Sequence, residues 1–400
     1  MEIREKICQG YDVVVVGGGI GGVSAAVAAA REGASVLLVE KLINLGGLAT
    51  EGLISWYEPI CDGDGAQMIA GIGEELIKLA ASVGFDSLPE KWGGGTCTPN
   101  RRGAYASHYS PTFFTLALDK WVQEAGVELL FDSRATYPKM EGNRCVGVIV
   151  ENVSGTEFYP AKVVIDATGD ATVMHRAGVP CMVGENFLSY VSHGFTYESA
   201  KTYAEDGNLR AFRKWKNAGS KLSGEGHPEG MKRFGGVDAR EVTEFVTLGK
   251  ARMLAYYEGT DKNEREIMTL PTIPQFRTIR HIVGKTNFDG TTDGKNCADS
   301  IGTTGDFRHP GKHFAIPYST LYNEEFPNML AAGRIISAHG EGWEITRVIP
   351  TCALTGEAAG VAAAMAAKEE VADVTTLSVP ALQQKLREKG VMFNNSFFAE

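Results

Sequence analysis

The chain has 400 residues, of which 48 are glycine, against about 7 % glycine in ordinary proteins. Only 15 prolines, no Gly-X-Y period and 44 % hydrophobic residues exclude collagen and low-complexity disorder, and allow a large core, most simply in two domains. A formal charge of −10 without a Lys/Arg run disfavours nucleic acid and anionic membrane surfaces as partners.

Seven cysteines (Cys8, Cys61, Cys97, Cys145, Cys181, Cys297 and Cys352) are scattered and form no C-x-x-C pair. That disfavours a disulfide scaffold, a zinc ribbon and a redox dithiol, and fits a reducing cytoplasm. Tyr11–Val16 (YDVVVV) is a short β-branched run suited to a buried parallel strand. Residues 20–32 predict an alanine-rich helix stopped by Gly33, and 35–39 a second buried strand, completing a strand–helix–strand unit. The uncharged stretch 13–30 imitates a signal peptide or membrane span. Its glycine cluster would break an apolar helix in the middle, so it is read as part of a soluble fold.

Residues 66–83 carry Ile69, Ile72, Leu76, Leu79 and Val83 at helical spacing, and 112–125 predict a helix ended by Gly126. An antiparallel meander is expected over 127–136, 145–153 and 156–159, then a buried strand at 163–167 closed by Thr168, Gly169 and Asp170. Between about 185 and 311 charged and aromatic residues rise and the alanine-rich pattern disappears. A strand at 329–332, a small-residue helix at 352–367 and a terminal helix at 378–389, capped by Ser378 and ended by Gly390, follow.

Four constellations carry chemistry. Gly17-x-Gly19-x-x-Gly22 lies between a strand and a helix: Gly17 allows the turn, Gly19 close backbone approach to a pyrophosphate, and Gly22 close helix packing. Glu40, followed by Lys41, ends the second strand at the spacing of an acid that hydrogen-bonds ribose hydroxyls, and disfavours a 2′-phosphate. Gly46, Gly47, Leu48, Ala49 and Thr50 form a glycine-paired turn beside it. VVIDATGD (163–170) ends a buried strand in small residues, which suits ligand approach at a sheet's carboxyl edge. In 328–360, Gly333 and Arg334 follow a strand, and Pro350, Thr351 and Cys352 open a helix whose N-terminus favours negative charge. His339 and Arg347 lie between strand and helix. The Asp-rich stretch 289–299 lacks the closing Glu of a calcium loop, so no metal is expected.

YDVVVVGGGIGGVSAAVAAAREGASVLLVEK with LGGLAT, AKVVIDATGDATVMHRAGVP and NMLAAGRIIS…TRVIPTCALTGEAAGVAAAMA resemble the FAD-dependent oxidoreductase family, flavoproteins of the glutathione-reductase-like and fumarate-reductase-like fold. PQFRTIRHIVG (274–284) and HFAIPYSTLY (313–322) are similar to segments of that family as well. The resemblance covers most of the chain and is weakest from about 185 to 271. It implies an α/β fold: a Rossmann-like FAD-binding domain (parallel sheet plus antiparallel β-meander) with an inserted α+β substrate or cap domain. Residues 1–60, 110–184 and 311–375 would form the FAD domain, 61–109 and 185–310 the cap, and 376–400 a terminal helix and tail. Gly17, Gly19 and Gly22 match the pyrophosphate glycines, and Glu40 the ribose acid. Gly46–Thr50 would line the pyrophosphate and ring region, the Ala135 backbone would meet the adenine, and Ala167, Thr168 and Gly169 would lie near the adenosine half. Gly333, Arg334, Thr351 and Cys352 would fall beside the ribityl chain and ring.

No histidine stands in the usual covalent-flavin context, so FAD is expected to be noncovalent. No second strand-G-x-G-x-x-G unit is present, so electrons would pass between a small-molecule substrate and a separate donor or acceptor. Arg277, Arg280 and His281 cluster in FRTIRH, where the Arg side chains suit either a carboxylate-bearing substrate or a set of ion pairs spanning the two lobes. Arg347 is the expected cation near the flavin and His339 the expected acid/base. Arg101, Arg102 and 92–95 fall in a loop that reads as solvated, with a lid as the alternative. The expected reaction is hydride transfer between a small polar substrate and flavin N5. An NAD-dependent dehydrogenase, or a noncatalytic FAD- or ligand-binding protein on the same fold, remain as alternatives at this point.

Overall fold

The β-branched run Tyr11–Val16 forms the inner strand of the sheet in a computed structural model that describes residues 5–63, 67–85, 88 and 107–393. It pairs in parallel with Val36–Val39 on one side and with the carboxyl half of Gly155–Asp166 on the other. Glu128–Leu130 and Met329–Ala331 extend the parallel sheet at its two edges. Four valines in a row suit this position, since a parallel strand covered on both faces has no solvent side. All four are buried.

Two expected strands prove to be one. The 156–159 and 163–167 stretches fuse into the twelve-residue strand Gly155–Asp166, whose first half pairs antiparallel with Arg144–Asn152 and whose second half joins the parallel sheet. Conversely, the expected strand 127–136 breaks in two. Glu128–Leu130 belongs to the parallel sheet, and Arg134–Glu141 to the antiparallel meander. The break is held by backbone bonds from Asp132 to the Leu42 carbonyl (3.1 Å) and from Ser133 to the Glu40 carbonyl (3.0 Å).

The helix Ile20–Arg31 lies against the sheet and against the long helix Ile349–Ala366. Their contact is backbone to backbone: a Cβ on Gly356 would stand 2.2 Å from the Gly21 carbonyl oxygen, and one on Gly360 2.2 Å from that of Ala25. This is why the second helix is built of alanine and glycine. By length and composition it could cross a membrane, yet it is almost wholly buried within the protein. The stretch 13–30 is likewise a strand and a helix of the core.

The amphipathic stretch 66–83 becomes helical only from Ile72 to Val83. Gly71 precedes it at φ +59°, and the Ile72 N–H is taken by the Glu357 carboxylate at 2.9 Å, fixing the helix start. Ile72, Leu76 and Ile77 bury in the main core, so this helix packs with the cofactor lobe rather than with the cap. Pro111–Glu124 and Val379–Glu388 are helices as expected, the latter capped by the Ser378 hydroxyl. The inserted region carries a three-stranded sheet (Lys214–Asn217, Val191–Thr196, Arg265–Thr269) and the twenty-residue helix Ala239–Glu258. It has a small core of its own around Leu188, Phe234, Phe245 and Phe276.

Candidate functional site

The carboxyl ends of the parallel strands open into one long cleft with Val16, Val39, Ala167 and Ala332 at its floor. Open α/β sheets bind their ligands at this edge. The cap reaches over it with Gly236, Val242, Pro274 and Phe276.

The glycine turn divides its labour among three residues. Gly17 has φ +102°, and a Cβ there would stand 2.5 Å from the Ala167 carbonyl oxygen. At Gly22 a Cβ would sit 1.8 Å from the Gly17 oxygen, so glycine is needed for helix and turn to touch. Gly19 differs: its φ of −67° suits any residue, and a Cβ there would meet nothing within 4 Å because it faces the cleft. The helix behind it has no side-chain cap and no acid in its first turn. Its first N–H groups and dipole therefore face the cleft unneutralised, which favours a phosphate.

Glu40 is buried, and its carboxylate accepts from the Gly18 N–H (2.6 Å) and the Leu42 N–H (2.8 Å). It holds the glycine turn and, with Lys41, lines the cleft. A carboxylate has room for more bonds than these two, so ribose hydroxyls remain within its capacity. Ser133, Arg134 and Ala135 close this end. Gly46, Gly47, Leu48 and Ala49 run beside the glycine turn, to which the Gly46 N–H is bonded through the Gly18 oxygen at 2.8 Å. Thr50 does not face the cleft; its hydroxyl donates to the Leu45 carbonyl at 2.6 Å and braces the loop. Ala167, Thr168 and Gly169 line the wall, held by Asp166. That buried carboxylate accepts from the Thr168 N–H (3.0 Å), the Thr168 hydroxyl (2.7 Å) and the Met174 N–H (2.8 Å).

At the other end the cleft meets Gly333, Arg334, Arg347, Ile349 and Cys352. The helix Ile349–Ala366 begins here without a side-chain cap or an acid in its first turn. Cys352 presents a neutral thiol, since burial pushes it up to about 12. Thr351 turns inward, its hydroxyl 2.8 Å from that of Thr304. Arg334 lines the cleft but spends its guanidinium on the carbonyls of Gly169 (2.6 Å) and Phe276 (2.5 Å).

Arg347 pairs with Glu344, Nε donating at 3.0 Å. Near it, beside the cleft rather than among its lining residues, stands Arg277, half-buried, whose guanidinium makes no hydrogen bond or ion pair among the described residues. Its backbone N–H and that of Thr278 are fixed by the Asn186 side-chain oxygen at 2.8 and 3.0 Å. Burial, then the neighbouring Arg347, brings Arg277 down to about 10, while Glu344 works the other way. Glu58 completes the group: burial lifts it to about 7 against the pull of Arg347. Sequence reasoning missed Glu58, Glu344 and Asn186, because none lies in a recognisable motif and folding alone brings them to Arg277 and Arg347.

The other expected substrate groups are placed elsewhere. His339 is exposed at the start of the short helix Gly340–Thr346 and does not line the cleft, because the chain turns outward there before Arg347 returns to it. Arg280 donates to the Asp170 carbonyl at 3.2 Å, and His281 is buried edge-on against Trp343. Both are structural. Asp306, His309 and Glu341 converge, but the Arg308 guanidinium pairs with Asp306 at 3.2 Å and with Glu341 at 2.7 Å, supplying the positive charge itself. Arg101, Arg102 and 92–95 lie outside the described residues.

The sequence model for FAD dependent oxidoreductases matches residues 12–229 and 283–386, which is most of the chain. The protein belongs to that family. Its sequence is 29 % identical over 185 residues to the digeranylgeranylglycerophospholipid reductase of Methanoculleus marisnigri, spanning 43 % of this chain and 42 % of that protein. It is 31 % identical over 172 residues to the glutathione reductase of Yarrowia lipolytica, spanning 40 % of this chain and 32 % of that enzyme. The chain thus matches less than half the length of these relatives. Among solved structures, a geranylgeranyl bacteriochlorophyll reductase-like protein of Thermoplasma acidophilum overlaps 96 % of this chain and 83 % of its own, at TM-score 0.46 and 16 % identity. The cradle fits FAD: an acid and a small-residue wall at one end, the open Gly19 with an uncapped helix in the middle, and a second uncapped helix at the other end.

Proposed function

We propose that the enzyme exchanges two electrons between noncovalently held FAD and a small carboxylate-bearing substrate seated at Arg277 and Arg347. The observation that carries this reading is Arg277: a half-buried guanidinium that has lost water without gaining an acceptor among the described residues. A cation so placed costs several kcal/mol unless an anion completes it. A planar fork of donors favours a carboxylate, bound bidentately.

Bound FAD would supply the redox chemistry, exchanging a hydride with substrate carbon at flavin N5. The chain does the rest. Arg277 binds the carboxylate, and Asn186 fixes the backbone that carries it. Arg347, oriented by Glu344, places positive charge at the same end of the cleft. Glu58, titrating near 7, can hold or release a proton at its carboxyl oxygen at working pH, as an acid/base must. The two uncapped helix starts favour negative charge along the cleft. A separate protein or small molecule would take or supply the electrons on the other half-reaction, in a reducing cytoplasm.

The test is difference spectroscopy of the FAD-loaded protein with small carboxylates, benzoate and succinate among them. Binding beside the ring should perturb the flavin spectrum, with Kd at least tenfold weaker in Arg277→Gln at unchanged flavin content. No perturbation by any carboxylate, or equal affinity in the variant, would overturn the reading.

A further inference from the structure

Outside the cleft the protein carries a second group of cations that the reading above leaves unused. The strand Trp56–Tyr57 pairs with Ser107–His108, which sets Trp56 opposite His108 with ring centroids 4.5 Å apart. In the inserted sheet Trp215 stands opposite His193. The two pairs meet through their indoles, 5.9 Å apart and crossed at 83°. Each indole is nevertheless left open, Trp56 by 40 % and Trp215 by 42 %.

Two arginines of the insert reach this corner. Arg210 bonds His108 Nε2 at 2.6 Å, and Arg213 donates to the Ser110 hydroxyl at 3.1 Å. A guanidinium only donates, so His108 Nε2 carries the lone pair and the ring is neutral. Burial, then Arg210, brings His108 down to about 4; burial, then Arg213, does the same to His193. No carboxylate among the described residues offsets either guanidinium, and burial lowers the proton affinity of both. A staple between insert and ribbon would need only the neutral acceptors already present. Two partly desolvated cations beside two neutral imidazoles form instead a positive corner that holds no anionic side chain among the described residues.

The corner adjoins the substrate end of the cleft along the chain. Trp56 is two residues from Glu58, so their Cα atoms lie no more than about 7 Å apart. Glu58 in turn lies in the field of Arg347, and it is Arg347 that lines the cleft.

We propose that Trp56, Trp215, Arg210 and Arg213 form a second substrate subsite, which holds a planar apolar group bearing a carboxylate or phosphate while the reacting end lies at Arg347. The indoles offer flat faces for a ring, and the two guanidinium forks offer donors to an oxyanion. The placement of the reacting end rests on the oxidoreductase reading above; the chemistry of this subsite does not.

The experiment is calorimetric titration of the FAD-loaded full chain with phenylacetate, phenyl phosphate and neutral phenylacetamide. At least one anion should bind tenfold or more tighter than the amide, and the order of the two anions identifies the oxyanion preferred. Arg213→Gln, and independently the more exposed Arg210→Gln, should reduce that preference below threefold at unchanged flavin content. Trp215→Leu should weaken all three probes at least fivefold. No measurable binding, no preference for the anions, or a preference that survives both arginine variants and is lost in Arg347→Gln would overturn the proposal. A protein that cannot be loaded with FAD would instead sink the oxidoreductase reading, and the same titration on that protein would still report on the corner.

Discussion

Alanine at Gly19 and alanine at Gly22 separate the space a ligand needs from the space the protein needs. At Gly22 the new carbon would stand 1.8 Å from the Gly17 oxygen, with the Gly17 carbonyl carbon at 3.0 Å and the Ala167 Cβ at 3.2 Å. Non-bonded heavy atoms settle at about 3.5 Å, so the turn must retreat by well over ~1 Å. Overpacking of this kind costs about 1–3 kcal/mol. At Gly19 nothing lies within 4 Å and φ is already −67°, so alanine should change apo-protein stability by less than ~0.5 kcal/mol. Its methyl group would nevertheless fill the space in front of the helix N-terminus. Losing one charge-assisted phosphate bond there costs about 1.5–3 kcal/mol, or a ~10–150-fold loss of FAD affinity. The assay is the flavin-to-protein ratio after purification, FAD titration of the apo-protein, and thermal unfolding of the apo-protein. Gly19→Ala should lose flavin with its unfolding midpoint intact, and Gly22→Ala should lose both. Flavin bound to Gly19→Ala as tightly as to the wild type would refute the placement of the pyrophosphate.

Glu357 is buried in the long helix and pushed by burial from 4.5 up to about 7. A folded-state value above the unfolded one gives stability that is complete below about 4.5 and lost as pH rises through about 7, at most ~3 kcal/mol. Glu357→Gln keeps an acceptor for the Ile72 N–H, so in urea unfolding it should match the wild type near pH 5 and exceed it at pH 8; a parallel pH dependence in the two proteins would contradict this. Glu58→Gln should remove the limb near pH 7 from the pH profile of flavin reduction by whichever carboxylate reduces it, and slow that step by ~10²–10⁴. Arg334→Gln leaves the carbonyls of Gly169 and Phe276 without their guanidinium. It should lower the unfolding midpoint of the apo-protein and not only its FAD affinity, which calorimetry with and without FAD would show.

The cofactor half of the site was legible because its physics is local. A strand of four valines, three glycines at fixed spacing and an acid at the next strand end can be placed by covalent connection alone, and the structure puts Gly17, Gly19 and Glu40 together on one cleft. Boundaries failed where tertiary contacts decided them. Glu128–Leu130 was drawn out of the meander by pairing with Val36–Val39, and the helix Ile72–Val83 begins where Glu357, far along the chain, takes its first N–H. The substrate end was hardest to read. Arg277 and Arg347 could be singled out by residue type, but Glu58 carries no motif and matters only because the fold buries it near Arg347. His339 was misplaced for the complementary reason: proximity in sequence to Arg347 does not make it a neighbour of the cleft.

Anaerobic mixing of the FAD-loaded protein with a panel of small metabolites, half of them carboxylates and half their neutral amides, tests the central claim most directly. Flavin absorption should bleach with at least one carboxylate, not with its amide, and at a rate lowered ~100-fold or more in Arg277→Gln, in line with ~3 kcal/mol for a bidentate charge-assisted pair. Bleaching by carboxylate and amide alike, or at the wild-type rate in Arg277→Gln, would contradict the account.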